Sequence, residues 1–280
     1  MSDPIVEPVV HDLTAVLHHS VAAGMPLLLL LDFDGTLVEL APEPDAIVVP
    51  AGATGILREI VRAGHRVVIL TGRPRSFVVE RLALADDDSI GVIGLHGLEW
   101  PGEPLPSRDV DLDVALAAIT TALKSVPADG VLIEDKGSSL AVHTRQVAVA
   151  AKDTIVATLK TTLLPFAGGA LALLQGHEVW ELRPRMADKG QAALRLKAMA
   201  PGHQVVMCGD DRTDEEAFLA LAAADGAEST PAGRQAVTIR VGSSAVETNA
   251  RHRLAGPPGV WALLAALLPR GCVPAEKEDE

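Results

Sequence analysis

The sequence predicts an α/β protein: a parallel sheet flanked by helices, carrying an inserted α+β segment built from two helix–hairpin units. Three observations predict this. Short runs that are almost wholly apolar alternate with amphipathic helical stretches, as expected for strands buried on both faces beneath crossover helices. In the middle of the chain the strands instead come in pairs around tight turns and alternate apolar with polar, the pattern of half-exposed hairpins. After that stretch the first pattern returns, so the middle is an insertion. The boundaries read as 1–104 and 186–280 for the two parts of the core and 105–185 for the insert.

Residues 11–23 have helical spacing in Leu13, Val16, Leu17 and Val21. "LLLLLD" follows as a buried strand. "AGATGILREIVRAG" is a helix closed by Gly64, and "HRVVILTGR" a second buried strand ending in a turn. "PRSFVVERLAL" begins a helix with Pro74 in its first turn, and "IGVIGLHG" is a third strand. The insert then runs as helix ("VDLDVALAAITTALKSV"), hairpin ("VLIEDKGSSLAVHTR"), helix ("VAVAAKDTIVATLKTTLL") and hairpin ("ALALLQGHEVWELRP", turning near Gly176). Helix, strand, helix, strand and a closing helix complete the core in "KGQAALRLKAMA", "QVVMCGDD", "TDEEAFLALAAA", "AVTIRVG" and "PGVWALLAALLPR". Prolines 101, 104, 106 and 184 flank the insert, and hinges are expected there.

Composition narrows the class. The chain has 280 residues, 48 % of them hydrophobic, which is ample for a packed core. A net charge of −13 argues against a nucleic-acid surface, which needs a basic patch. Two cysteines, Cys208 and Cys272, are too few for a disulfide framework. The N-terminus carries acids where a signal peptide carries lysines, and the longest apolar run is far shorter than the roughly 20 residues that span a bilayer. The expectation is a cytoplasmic monomer acting on a small molecule, without nucleic-acid or membrane partners.

Four pieces fall at strand ends or helix starts of the core: Asp32-x-Asp34-Gly-Thr, Thr71-Gly-Arg, Asp188-Lys189-Gly and Gly209-Asp210-Asp211-x-x-Asp214. Ligands of open α/β sheets bind beyond the carboxyl ends of the strands, so the four should converge. Each alone is an ordinary turn or helix cap. The first also imitates a calcium loop, but Leu37 stands where that loop requires glycine. Together, Asp32, Asp34, Asp210 and Asp211 crowd carboxylates that repel unless one protonates or a cation joins them. Oxygen ligands with open positions suit Mg²⁺. Lys189 and the Thr71 hydroxyl then supply a cation and a donor for a phosphoryl group, while Gly35 and Gly72 let backbone N–H groups approach it. On this reading the leucine strand mounts Asp32 as nucleophile and Asp34 as general acid, then as base for the hydrolytic water.

These motifs resemble the haloacid dehalogenase (HAD) superfamily of aspartate-nucleophile phosphatases. With "GLHGLEW", "EDKGSSLAVHTR", "VWELRP" and "GDDRTDEEAF" the chain resembles, more narrowly, the trehalose-6-phosphate phosphatases. The resemblance implies a Rossmann-like core with a cap inserted after the second motif, and Mg²⁺-dependent hydrolysis of trehalose 6-phosphate through an aspartyl phosphate. It implies metal ligation by Asp32, the Asp34 carbonyl and Asp210, with Asp211 and Asp214 supporting, and phosphate binding by Thr71, Gly72, Arg73 and Lys189. It implies sugar contacts from Glu134, Lys136, Arg145 and Glu181 in the cap and His96 at the core edge. His143 is read as structural, His177 as an exposed turn residue or a ligand, and Trp180 as packing between cap helices and sheet. Thr144 stands where the family commonly has an aromatic residue. Other sugar or glycerate phosphates (mannosyl-3-phosphoglycerate, sucrose 6-phosphate) or a non-catalytic sugar-phosphate sensor are the alternatives.

Overall fold

A computed structural model describes residues 6–41, 43, 46–176, 178–228 and 230–268; His177 and Cys272 lie outside them. In chain order the elements are α1 (Val6–Ala22), β1 (Leu27–Leu31), α2 (Ala53–Arg62), β2 (Arg66–Leu70), α3 (Arg75–Arg81), β3 (Ile90–Ile93), α4 (Val110–Leu123), β4 (Leu132–Asp135) and β5 (Leu140–His143). There follow α5 (Val149–Leu163), β6 (Leu171–Gly176), β7 (Val179–Pro184), α6 (Lys189–Ala198), β8 (Gln204–Gly209), α7 (Arg212–Ala227), β9 (Val237–Val241), β10 (His252–Leu254) and α8 (Pro257–Ala266). The chain divides into two compact units, residues 1–103 with 188–280, and residues 104–187.

The first unit is built on a six-stranded sheet in the order β10-β9-β8-β1-β2-β3, with every pairing parallel. All five leucines of β1 are buried, and period two explains why. Leu27, Leu29 and Leu31 pack with Leu13 and Leu17 of α1, Leu57 and Ile60 of α2, and Val260 and Leu263 of α8. Leu28 and Leu30 point the other way, onto Ala193 and Leu196 of α6 and Phe218 and Leu221 of α7. A strand covered on both faces has no position left for a polar residue. The sheet starts at β1 and is extended toward β3 on one side and β10 on the other, so the strand order reverses beside β1. That is where open α/β sheets hold ligands. The edge strand β10 has no counterpart in the sequence expectation. It is three residues long, and His252 and Arg253 give it no apolar run.

The second unit is a four-stranded antiparallel sheet in the order β4-β5-β7-β6. One face, with Leu140, Val142, Trp180 and Leu182, packs on Leu112 and Ile119 of α4 and Ile155, Leu159 and Leu163 of α5. Trp180 is therefore a core residue of this unit. Alternation places Glu134, Ala141, His143, Glu181 and Arg183 on the opposite face; Glu134 is opposite Ala141, which is opposite Glu181.

Leu29→Ala removes a fully enclosed side chain from the central strand. We expect it to cost about 2–5 kcal/mol of unfolding free energy, read as a lowered midpoint in urea denaturation. A loss under about 1 kcal/mol would contradict the doubly covered position.

Candidate active site

Three neighbouring strands deliver the first residues. Asp32 follows β1 and its amide donates to Cys208 O at 3.0 Å; Thr71 follows β2 and donates to Ile93 O at 3.0 Å; Asp210 follows β8. Beyond Asp32 the chain turns sharply. Leu37 and Val38 amides donate to Phe33 O, and Gly35 N to Val38 O, with Phe33 and Leu37 sunk in the core as anchors. Gly35 has φ +76° and its backbone lies directly against the Asp210 carboxylate, so a Cβ there would collide with Asp210 Oδ2. Both facts require glycine.

Lys189 opens α6, where the Asp188 side chain caps the helix by accepting from the Gly190 and Gln191 amides. Lys189 is 1 % exposed, and its Nζ donates to Asp32 Oδ1 at 2.6 Å and to Asp214 Oδ1 at 2.8 Å. The second Asp214 oxygen accepts from the Asp210 and Asp211 amides at 3.0 and 3.1 Å. Asp211 in turn caps α7, accepting from the Thr213 and Asp214 amides. Burial pushes the Asp32 carboxyl well above its usual range against the pull of Lys189; the Asp210 and Asp211 charges push the same way. Asp210 is raised by burial and by the Asp211 and Asp214 charges, and Asp214 by burial against Lys189. Lys189 stays charged: burial opposes this, and the Asp214, Asp32 and Asp211 charges outweigh it.

The cluster fits a divalent metal. One oxygen from each of Asp32, Asp210 and Asp214 lies within 4.8 Å of the others. Lys189 and two amides already engage both Asp214 oxygens. Among the described residues no hydrogen bond reaches Asp32 Oδ2 or the Asp210 carboxylate. Two carboxylates this close, each with an uncommitted oxygen and with pKa values driven upward by burial, form a hard oxygen donor set whose joint ionisation a cation favours.

Around Thr71 the backbone is folded tightly. Thr71 Oγ1 accepts from the Arg73 amide at 3.1 Å, and Thr71 O accepts from the His96 amide at 2.9 Å. The His96 ring covers Gly72, where a Cβ would lie 2.5 Å from Cε1. Leu95 and His96 are left-handed at φ +50° and +55°, a costly conformation for non-glycine residues. It is held by Leu95 N donating to Arg73 O and by Trp100 Nε1 donating to Gly97 O at 2.7 Å. Trp100 is thus a core and bracing residue of this unit, with the Arg195 guanidinium 3.9 Å above its ring. Arg73, expected at the phosphate, has its guanidinium on the Asp34 carboxylate: Nε to Oδ2 at 2.8 Å and Nη2 to Oδ1 at 2.7 Å.

In the second unit the structure joins Lys136 to Glu181 at 3.2 Å, and Ser139 Oγ donates to the same Glu181 oxygen at 2.7 Å. Glu134 meets His143 at 2.9 Å on the same face, a partner that fits a structural His143. Arg145 lies past the end of β5, in the turn after it, 3.9 Å from Glu178. Ser139 and Arg183 were missed. Arg183 has the parity of Glu181, which the alternation already contained; Ser139 is one of two adjacent serines in a turn, and nothing local says which faces Glu181. Arg240 was also missed: its Nη1 donates to Asp211 O at 2.9 Å, and it stands 3.5 Å from Glu215.

A model of the trehalose-phosphatase family matches residues 30–258. The trehalose-6-phosphate phosphatase of Escherichia coli K12 is 33 % identical over 241 residues, covering 83 % of each chain. A probable trehalose-phosphate phosphatase of Sinorhizobium fredii is 30 % identical over 251 residues, covering 85 % of this chain and 86 % of its own. The solved C-terminal domain of Candida albicans trehalose-6-phosphate phosphatase superposes with a TM-score of 0.78 at 20 % identity, covering 91 % of this chain and 98 % of its own, which places the fold.

A hard divalent cation added to chelator-treated protein should raise the Tm. Gly35→Ala, with its Cβ displacing Asp210, should lower stability by about 1–2 kcal/mol from the left-handed backbone alone and abolish that rise. Thermal unfolding with and without the cation checks both. An equal rise in the variant would separate Asp210 from the metal.

Proposed function

The chain belongs to the trehalose-phosphatase family, and from that premise we propose that it hydrolyses trehalose 6-phosphate to trehalose and phosphate through a phosphoryl intermediate on Asp32, the last step of trehalose biosynthesis. One observation carries the assignment of the nucleophile. Asp32 stands at the tip of the central strand with one oxygen bound to Lys189 at 2.6 Å and the other uncommitted among the described residues.

The uncommitted oxygen attacks phosphorus, and the bond from phosphorus to the sugar oxygen breaks. Asp34 donates a proton to that oxygen, releasing trehalose. Water then attacks the phosphoryl group on Asp32, Asp34 takes the water's proton, and the bond from phosphorus to Asp32 breaks, freeing phosphate and restoring both aspartates. The Lys189 ammonium, the Thr71 hydroxyl and the backbone at Gly72 hold the phosphoryl oxygens and offset their charge. Mg²⁺, when bound by Asp32, the Asp34 carbonyl and Asp210, supplies further neutralisation there. Asp211 and Asp214 support that set by ordering the start of α7. The inserted unit is the cap. Its polar sheet face, with Glu134, Lys136 and Glu181, is assigned to the sugar hydroxyls, together with Arg145 and with His96 of the core. Among the described residues no helix is long and apolar enough to cross a membrane. On this reading the protein is a cytoplasmic monomer that acts on a small sugar phosphate.

The test is phosphate release from trehalose 6-phosphate with Mg²⁺. Wild type should turn over, and Asp32→Asn should lose about 10³-fold or more. Turnover of other sugar phosphates but not this one would overturn the substrate, and an active Asp32→Asn the nucleophile. Glu134→Ala and Lys136→Ala should each lower kcat/KM for trehalose 6-phosphate by about 10–100-fold, the scale of a charged hydrogen bond, and leave a small aryl phosphate within twofold. Equal losses on both substrates would remove these residues from sugar recognition.

A further inference from the structure

Arg73 sits at the second motif, immediately after the Thr71-Gly72 turn, where a guanidinium is well placed to hold a phosphate. Its side chain is committed elsewhere. The two bonds to Asp34 engage both carboxylate oxygens in the side-on geometry that a planar fork matches. The guanidinium lies over the Phe77 ring at 4.6 Å, so the face of the fork is packed as well as its edge. At the backbone, the Arg73 amide donates to Thr71 Oγ1 and its carbonyl accepts from Leu95. Arg73 is 13 % exposed and Asp34 26 %. Both ends of Arg73 are therefore fixed by the fold.

We propose that Arg73 is a positioning residue for Asp34 and not a ligand of the transferred phosphate. This rests on the reading of Asp34 as the proton-transfer group. Asp34 leaves a tight turn on a side chain with two rotatable bonds. A monodentate partner leaves the carboxylate free to swivel, whereas a two-point clamp fixes the plane of the group and the direction of its proton path. Transfer is sensitive to misplacement on the scale of 1 Å. Lysine cannot substitute, because a point charge has neither the fork nor the flat face that stacks on Phe77.

The experiment compares wild type, Arg73→Ala, Arg73→Lys, Asp34→Asn and the Arg73→Ala/Asp34→Asn double variant. Three quantities are measured: kcat, KM, and the Kd of inorganic phosphate by calorimetry with Mg²⁺ present, with circular dichroism and Tm confirming that each folds. Positioning predicts a kcat lower by about 10–100-fold in both Arg73 variants and a phosphate Kd within twofold of wild type. It also predicts a double variant no slower than Asp34→Asn alone, because the two residues act as one unit. A phosphate Kd weakened tenfold or more in Arg73→Ala, partly restored in Arg73→Lys, would make Arg73 a phosphate ligand and overturn the proposal. So would losses that multiply in the double variant, or full kcat in Arg73→Lys. Failure of the substrate assignment shows differently, as a wild type inert toward trehalose 6-phosphate; the comparison is then run on an aryl phosphate, and the Kd arm is unaffected.

Discussion

A lysine ammonium with 1 % exposure sits between two carboxylates, and the site is arranged around it. Burying such a charge costs several kcal/mol unless its partners are placed to recover the loss, and removing one partner strands the rest. Lys189 therefore fixes three pieces of chain at one point: its own helix start on α6, the tip of β1 through Asp32, and the start of α7 through Asp214. Asp214 passes the constraint on, because its other oxygen holds the Asp210 and Asp211 amides. Asp32 and the backbone that carries Asp210 are thus held by the same buried group. The charge of Lys189 is maintained by the acids around it, and it pulls their pKa values down against the larger upward push of burial.

Backbone contacts narrow the geometry further. Gly35 lies on Asp210, Gly209 on Asp214 and Gly72 on His96, each too close to admit a Cβ. The left-handed pair Leu95–His96 stores strain beside Thr71 and needs a brace. Trp100 supplies it through Gly97 O, and Arg195 of α6 stacks on Trp100 while pairing with Glu103. The helix that carries Lys189 and the turn that carries His96 are in this way tied together. Such bracing keeps small displacements from reaching groups that must be placed to a fraction of an ångström.

Much of this was legible in the sequence because it is written locally. Five consecutive leucines require a strand covered on both faces, and the odd and even residues of β1 divide between two cores accordingly. Alternation in the two hairpins indicated a one-sided sheet and put Glu134 and Glu181 on its polar face. The placement of four short motifs at element ends pointed to one cluster; three of them meet in Asp32, Lys189, Asp210 and Asp214, and the second joins the first through the Arg73–Asp34 pair. What sequence did not show depends on pairing between distant segments. Arg73 reaches Asp34 across 39 positions, and Ser139 reaches Glu181 across 42. Arg145 looked like the end of a strand, but β5 stops at His143 and the turn carries Arg145 toward Glu178. Strand β10 is held by pairing with β9 and has too few apolar residues to announce itself.

The proposed reaction turns on covalent phosphorylation of the Asp32 carboxylate. The most direct measurement is rapid acid quenching during the first turnover of trehalose 6-phosphate with Mg²⁺, followed by digestion and mass spectrometry of the peptide containing the first motif. One hydroxylamine-labile phosphoryl group should appear on Asp32, formed and lost no more slowly than kcat. A phosphoryl group on another residue, or none on Asp32 at any time through a turnover that releases phosphate, would contradict it.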